Sequence, residues 1–418
     1  MPERSSALDK ALSLADFEPM ARRRLPRPLY GYIAGAAEDG TSRDRNATSF
    51  ADWQLVPRTL VDVSGRSQKV KLFGTEYASP FGIAPMGIVA LSTYRGDVAM
   101  ATAAHRCGVP AVLSGTSLIP MEEVGRAAPG TWFQAYLPGD ECRIGALIDR
   151  VAHARYETLV VTVDIPVAGN RESHQRVGFS TPLRPSLRLA WDGLVRPRWL
   201  AGTLLRTVVK HGIPRFENSF AVRGAPIISA TAERDFSGRD HLCWTNLAAI
   251  RRQWKGALVV KGVLDPADVR SAFRLGADGI ILSNHGGRQL DGAVSPMHML
   301  QEAVDVAGNL PVMIDGGFTR GTHVLKALAL GARMVFIGRP FNYAASVGGE
   351  KGVTRAIHLL QAEIDRDLAM LGVNGCGELC ASHVRPRQQQ YSRASSASDF
   401  RARAGMNSEL CEGGARTT

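Results

Sequence analysis

The sequence predicts an α/β protein: a (β/α)8, or TIM, barrel with a long basic insert between strands 4 and 5. Three observations predict it. Eight short apolar runs recur along the chain, each ending in polar or Gly residues. The runs, such as LVVTVDIP, ALVVKG, GIILSN and VMIDGG, are nearly continuously apolar, as parallel strands covered on both faces should be. Between them lie stretches with helix-period apolar residues that stop at Gly, such as RGDVAMATAAHRCG and GTHVLKALALGA. Alternating strands and helices in this number close a barrel. A doubly wound open sheet is the alternative, but no GxGxxG follows the first run.

The elements follow in order. Residues 1–24 read as a helical lead-in ending in Arg22-Arg23-Arg24, and residues 25–383 as the barrel. Its strands are expected at Phe81–Pro85, Pro110–Ser114, Thr131–Leu137, Leu159–Ile165, Ala257–Gly262, Gly279–Ser283, Pro311–Asp315 and Met334–Gly338. The fourth connection runs for about ninety residues, far beyond an ordinary βα loop. Its variable part is placed at 176–235. Residues 176–215 carry Arg176, Arg184, Arg188, Arg196, Arg198, Arg206, Lys210 and Arg215 against Asp192 alone, a local charge of +7. Trp191, Leu194, Val195, Trp199, Leu200, Leu204, Leu205 and Val208 interleave at helical spacing. Such a segment suits an anionic bilayer surface, a subunit interface or a solvated cover over the barrel mouth. Residues 384–418 are polar and rich in Ser and Arg, and read as a disordered tail.

Composition narrows the function. With 45% hydrophobic and 21% charged residues, the chain is globular rather than disordered. Fifty Lys and Arg against 39 Asp and Glu give +11, which suits an anionic partner: nucleic acid, a membrane surface or an acidic substrate. No nucleic-acid-binding motif accompanies the charge, so a basic nucleic-acid binder is the weaker reading. No apolar run reaches the ~18 residues of a spanning helix, and the N-terminus lacks the apolar core of a secretory signal. The cysteines, Cys107, Cys142, Cys243, Cys376, Cys380 and Cys411, form no CxxC pair, which favours reduced thiols over disulfides or a metal site. A cytoplasmic protein is expected, either free or peripheral on the membrane's cytoplasmic face, with no metal.

In barrels of this kind chemistry gathers at the C-terminal strand ends. Those ends carry Ser114, Gln134 and Tyr136, Thr162 and Asp164, Lys261, Ser283 through Arg288, Asp315 through Gly317, and Gly338-Arg339. The strongest segment is Ser283-Asn284-His285-Gly286-Gly287-Arg288-Gln289-Leu290-Asp291. A His on a Gly-rich turn can act as a base near neutral pH, and the Arg three residues on can grip a carboxylate with two parallel hydrogen bonds. Asp315-Gly316-Gly317 and Gly338-Arg339-Pro340, after strands 7 and 8, suit a phosphate.

Taken together, TVDIPVAGNRE, LVVKGVLDPADV, ILSNHGGRQLDGAVSP, VMIDGGFTRGTHVLKALALGA and FIGRPF resemble the FMN-dependent L-2-hydroxy-acid oxidases and dehydrogenases. That family includes glycolate oxidase, L-lactate dehydrogenase and mandelate dehydrogenase, and the insert text looks most like the membrane-associated mandelate branch. The resemblance implies FMN as cofactor and a small 2-hydroxy acid as substrate. It implies His285 as the base, Asp164 as its supporting carboxylate, and Tyr136 at the substrate hydroxyl. Tyr32, Arg171 and Arg288 would bind the substrate carboxylate. Pro85, Gly87, Ser114, Gln134, Thr162 and Lys261 would line the flavin ring, with Ser283 near the ring and ribityl chain. Asp315, Gly317, Gly338 and Arg339 would hold the ribityl phosphate. A homo-oligomer, a tetramer in the family, is implied. The electron acceptor is left open among oxygen, a quinone and a cytochrome. Another FMN-binding barrel oxidoreductase or isomerase is the alternative.

Two departures bear on the site. Many relatives carry Arg four residues after the Asp of the DGG motif; here Thr319 stands there, followed by Arg320, and either side chain is available to the phosphate. Thr116 and Ala168 stand where relatives often carry Trp and Leu, so an enlarged substrate pocket and a bulky substrate are expected.

Overall fold

A computed structural model describes residues 7–180, 183, 186–229 and 239–387. Eight parallel strands form the central sheet: β1 (Phe81–Ile83), β2 (Val112–Ser114), β3 (Trp132–Tyr136), β4 (Thr158–Thr162), β5 (Ala257–Val263), β6 (Gly279–Leu282), β7 (Val312–Asp315) and β8 (Met334–Ile337). Each pairs in parallel with its sequence neighbour, and β8 returns to β1. The remaining gap is bridged at Ile83 and Ala111, with the Ile83 N–H donating to the Pro110 carbonyl at 2.9 Å. The barrel is thus nearly closed, and six of its strands fall within their apolar runs, while β4 begins one residue before its run, at Thr158, and β5 ends one residue past its run, at Val263.

Side chains alternate across a strand, so each strand has an inner and an outer set. Val112, Trp132, Val160, Val259, Ile281, Met313, Met334 and Phe336 fill the barrel's interior. Leu72 and Tyr77, from a hairpin of Val70–Leu72 and Thr75–Tyr77, complete this cluster, and the Trp132 indole donates to the Tyr77 hydroxyl at 3.2 Å. The outward set, such as Phe133, Leu159, Val161, Leu258, Val260 and Ile314, packs on the surrounding helices. Helix Gly96–Arg106 lies against Arg339–Leu371, whose two halves are broken at Gly349.

The same alternation aims the functional side chains. One step of two residues beyond the inner apolar layer gives Ser114, Gln134, Thr162, Lys261, Ser283, Asp315 and Gly338; a second step gives Tyr136, Asp164 and His285. A register shift between Lys261 and Val263 bends β5 at Gly262. Gly262 has φ of 103°, and a Cβ there would lie 2.6 Å from the Asp164 side chain, so the bulge lets Asp164 sit close to Lys261.

Three segments differ from their expected boundaries or surroundings. The lead-in is part of the core: Leu14, Phe17, Ala21 and Leu25 are buried. Order continues past 383, since the His383 carbonyl accepts from the Val56 N–H and Val384 is buried. Residues up to Arg385 form one compact unit; of the second, 386–418, only Pro386 and Arg387 are described, so most of the expected tail lies outside the described residues. In the insert, Trp199 is buried and its indole donates to the Leu91 carbonyl at 2.8 Å, which removes it from the exposed stripe. Leu187, Trp191 and Leu194 on helix Leu187–Leu194 are exposed, as are Leu205, Val208 and Val209. Arg184 and residues 230–235 of the insert lie outside the described residues.

Candidate active site

A cavity of about 530 Å³ opens at the C-terminal ends of the strands. Of the residues singled out from the sequence, Tyr32, Pro85, Gly87, Tyr136, Thr162, Arg171, Lys261, His285, Arg288, Asp315, Gly317, Gly338 and Arg339 line it. Ser114, Gln134, Asp164 and Ser283 stand just behind this lining and bond to it or to one another. Ser114 Oγ lies 3.0 Å from Thr116 Oγ1 and donates to Gln134 Oε1 at 3.1 Å. Ser283 Oγ accepts from Lys261 Nζ at 2.9 Å.

His285 sits on a turn of three consecutive left-handed residues, with φ of 57°, 63° and 74° at His285, Gly286 and Gly287. Such a conformation is uncommon for a non-glycine residue and is held here by the His285 N–H donating to Ser283 Oγ at 2.9 Å. Gly287 is required: a Cβ would lie 2.3 Å from the backbone nitrogen of Arg43. The ring's Nδ1 faces both Asp164 carboxylate oxygens at 3.1 and 3.2 Å, and Nε2 faces the Tyr136 hydroxyl at 3.4 Å. Asp164 therefore favours the tautomer with the proton on Nδ1, leaving Nε2 as the basic atom. Burial holds the imidazole below its ordinary pKa, and the cations Lys261 and Arg171 add to this, while Asp164 opposes it. Burial pushes Asp164 upward, but the His285 ring and Lys261 bring it below the usual carboxylate range.

Lys261 is buried and ion-paired with Asp315 at 3.0 Å. Burial alone would lower its pKa; Asp315 and Asp164 outweigh burial and raise it. Arg171 donates to the Arg288 carbonyl at 2.8 Å and to Gln289 Oε1. Arg288 lies over the Tyr32 ring, 5.1 Å from its centroid, and donates to the carbonyls of Tyr32 and Gly35 at 2.9 Å. These carbonyls end helix Arg27–Ala34, where the helix dipole favours a cation. Arg339 donates to the same helix end, at Ile33 and Gly35, and to the Gly286 carbonyl at 2.9 Å. Burial, with Arg288 beside it, pushes Arg339 down to about 10.

Both sequence departures are now placed. Thr319 lines the cavity, but Arg320 is turned outward to Glu363 at 3.2 Å and is absent from the lining. Thr116 lines the cavity, whereas Ala168 is exposed on the loop beyond β4 and does not, so the expectation that Ala168 enlarges the pocket is corrected; Ile165 lines it instead.

The sequence reading missed Arg43, Asn46 and His174, and it gave no role to Asn284, which stood among its strand-end candidates. Helix Thr41–Thr48 is held by Asp291, which accepts from the N–H groups of Thr41 and Ser42 at 3.1 and 2.8 Å. Asn46 and Asn284 exchange side-chain hydrogen bonds at 2.6 and 2.8 Å. Gly317, at φ of 82°, passes under this helix so closely that a Cβ would lie 2.3 Å from the Asn46 carbonyl. His174 packs on Tyr32 and lies 3.4 Å from Arg288 Nη2. Asn284 lay within the motif, whereas no strand end marked the others; only the acid closing SNHGGRQLD hinted that a helix would dock there.

Two buried polar atoms bear on a bound group. Gln134 Nε2 and Asp315 Oδ1 have no hydrogen-bond partner among the described residues. Such atoms are costly unless something pairs with them. A planar heterocycle with carbonyl and N–H edges, joined to a hydroxylated chain and a phosphate, would satisfy both and run toward Gly317, Gly338 and Arg339. The residues present therefore fit FMN.

Comparison with known proteins agrees with this geometry. The family model for FMN-dependent dehydrogenases matches residues 21–386. The chain is 38% identical over 361 residues to (S)-mandelate dehydrogenase of Pseudomonas putida, covering 86% of this chain and 90% of the relative. It is 38% identical over 373 residues to L-lactate dehydrogenase of Caulobacter sp. strain K31, covering 87% and 95%. The crystal structure of the monotopic membrane protein (S)-mandelate dehydrogenase superimposes with a TM-score of 0.81 at 34% identity, covering 90% of this chain and 100% of that one.

Proposed function

The chain belongs to the family of FMN-dependent dehydrogenases, and on that premise we propose that it oxidises an L-2-hydroxy acid to the 2-oxo acid with His285 as the base. The observation that carries this reading is the His285–Asp164 pair facing Tyr136, Arg171 and Arg288 in one cavity. Lys261 and Gln134 are among the residues that would hold FMN, which would supply a two-electron acceptor. The protein does the rest. Arg171, Arg288 and Tyr32 grip the substrate carboxylate, which fixes the α-carbon beside His285. Tyr136 holds the substrate hydroxyl. His285 Nε2 takes a proton from the substrate's α-carbon or hydroxyl, and the resulting imidazolium is stabilised by the buried Asp164 carboxylate at Nδ1. Lys261, a buried cation in the cavity lining, would offer positive charge to the cofactor ring.

Within this class we assign a bulky substrate of the mandelate kind over lactate, on the strength of Thr116 in the lining. Packing each added methylene discriminates by ~1–3 kcal/mol, so a phenyl group has a large effect. The expected result is a higher kcat/KM for (S)-mandelate than for L-lactate; a clear preference for lactate would reject this specificity.

The insert supports contact with an anionic membrane. No helix among the described residues is long and apolar enough to span one. Leu187, Trp191 and Leu194 share one helix face, and Leu205, Val208 and Val209 another, flanked by Arg188, Arg198, Arg206 and Lys210. Each basic residue near an anionic surface contributes ~1 kcal/mol. The protein is expected to sediment with anionic liposomes more than with neutral ones, with partial release at high salt. Equal failure with both lipids would eliminate the membrane reading.

A further inference from the structure

We propose that Arg43, on helix Thr41–Thr48, is a phosphate ligand of the bound flavin nucleotide. The assignment rests on the reading that this cavity holds FMN. Its lining includes a glycine-rich end suited to the phosphate, Gly316, Gly317 and Gly338 with Arg339, and Arg43, on the helix packed against Gly317, lines the same cavity. A phosphate dianion there needs cations and N–H groups. Arg339 has already committed Nε and Nη2 to three backbone carbonyls. Arg320, the other candidate by sequence, points outward to Glu363. Arg43 is differently placed. Asp44 holds only its Nε, at 2.8 Å, and Nη1 and Nη2 have no hydrogen-bond partner among the described residues. The Asp44 carboxylate is 65% exposed, so water screens its repulsion of a phosphate while it orients the guanidinium.

The packing explains how a residue from the N-terminal region reaches this end. Gly287 and Gly317 both lie against the helix backbone, at Arg43 and Asn46 respectively, too closely for any Cβ. The helix is therefore locked over the two glycine turns, and Arg43 is carried with it. Arg43 and Arg288 each push Arg339 toward losing its proton, so like charges are gathered at a place that an anion would relieve.

Riboflavin, which lacks the phosphate, separates this role from general packing. Equilibrium dialysis of the full chain against FMN and against riboflavin should show Arg43→Leu weakening FMN binding by about 10- to 100-fold, the range for a charge-assisted pair. Riboflavin binding should change by less than about twofold, and Arg320→Leu should leave both unaffected. Adding Thr319→Arg to Arg43→Leu should restore FMN binding, which also shows that the variant folds. Unchanged FMN binding in Arg43→Leu, or equal loss of FMN and riboflavin, would overturn the assignment. If the wild type took up no FMN, both this assignment and the function proposed above would fall; uptake by wild type and variant alike overturns the Arg43 role alone.

Discussion

His285→Gln is expected to retain FMN while its reduction by substrate slows on the order of 10²–10⁴-fold, the range for losing a general base. Gln keeps a polar side chain of similar length but has no basic nitrogen. Rapid mixing of the flavin-loaded enzyme with substrate, without oxygen, reads the step directly. A rate near that of the wild type would remove His285 from the base role. The pH dependence follows from the same pair. The base works when unprotonated, and burial holds its pKa below 6.5. Activity should therefore rise with pH on a limb centred below 6.5 and be flat above it. In Asp164→Asn the carboxylate that favours the imidazolium is gone. The limb should move further toward acid while the maximal rate falls, because the protonated ring has lost its counter-charge. A limb moving toward alkali would contradict the assigned role of Asp164.

Lys261→Met is expected to destabilise the protein by roughly 3–5 kcal/mol, the cost of leaving one member of a buried ion pair without its partner. Lys261 and Asp315 are 3.0 Å apart, with side chains only 4% and 10% exposed. Asp315 already has one carboxylate oxygen unpaired, so nothing nearby replaces the lost ammonium. Urea unfolding of the flavin-free chain measures this apart from cofactor binding. Lys261→Met with Asp315→Leu should recover much of the loss, since an apolar pair of similar volume removes both charges. A loss below about 1 kcal/mol in the single variant would show that the pair is not desolvated as the geometry requires. The sign with pH is also set. The folded pKa of Lys261 is raised above 10.5, so its contribution is complete below that value and is lost only as pH climbs through the raised folded pKa.

The mouth of the barrel was legible because one rule generates it. The apolar alternation that buries Val160, Val259 and Ile281 continues for one or two more steps into Thr162 and Asp164, Lys261, and Ser283 and His285. A reader who finds the strands has therefore found the side chains that point into the cavity. Ala168 escaped this rule: it lies four residues beyond Asp164 on the exposed loop, where alternation no longer fixes direction. Arg43, Asn46 and His174 were not legible, since they come from short helices with no inherent link to the mouth. Their positions depend on contacts between distant segments, such as Asn46 with Asn284 and Asp291 with Ser42. Trp199 shows a different limit. Helical spacing groups it with Trp191, but the two lie on separate helices, Leu187–Leu194 and Pro197–Trp199, and whether a face meets solvent or the barrel is decided by a partner, here the Leu91 carbonyl.

The most direct test of the central claim is a single anaerobic mixing of the purified full-length enzyme with (S)-mandelate, following the flavin's visible absorbance. The structure predicts that the absorbance bleaches in one turnover, that the released cofactor is FMN, and that the R enantiomer leaves it unchanged. An FMN-loaded enzyme that no L-2-hydroxy acid bleaches would contradict the function assigned to His285, Arg171 and Arg288.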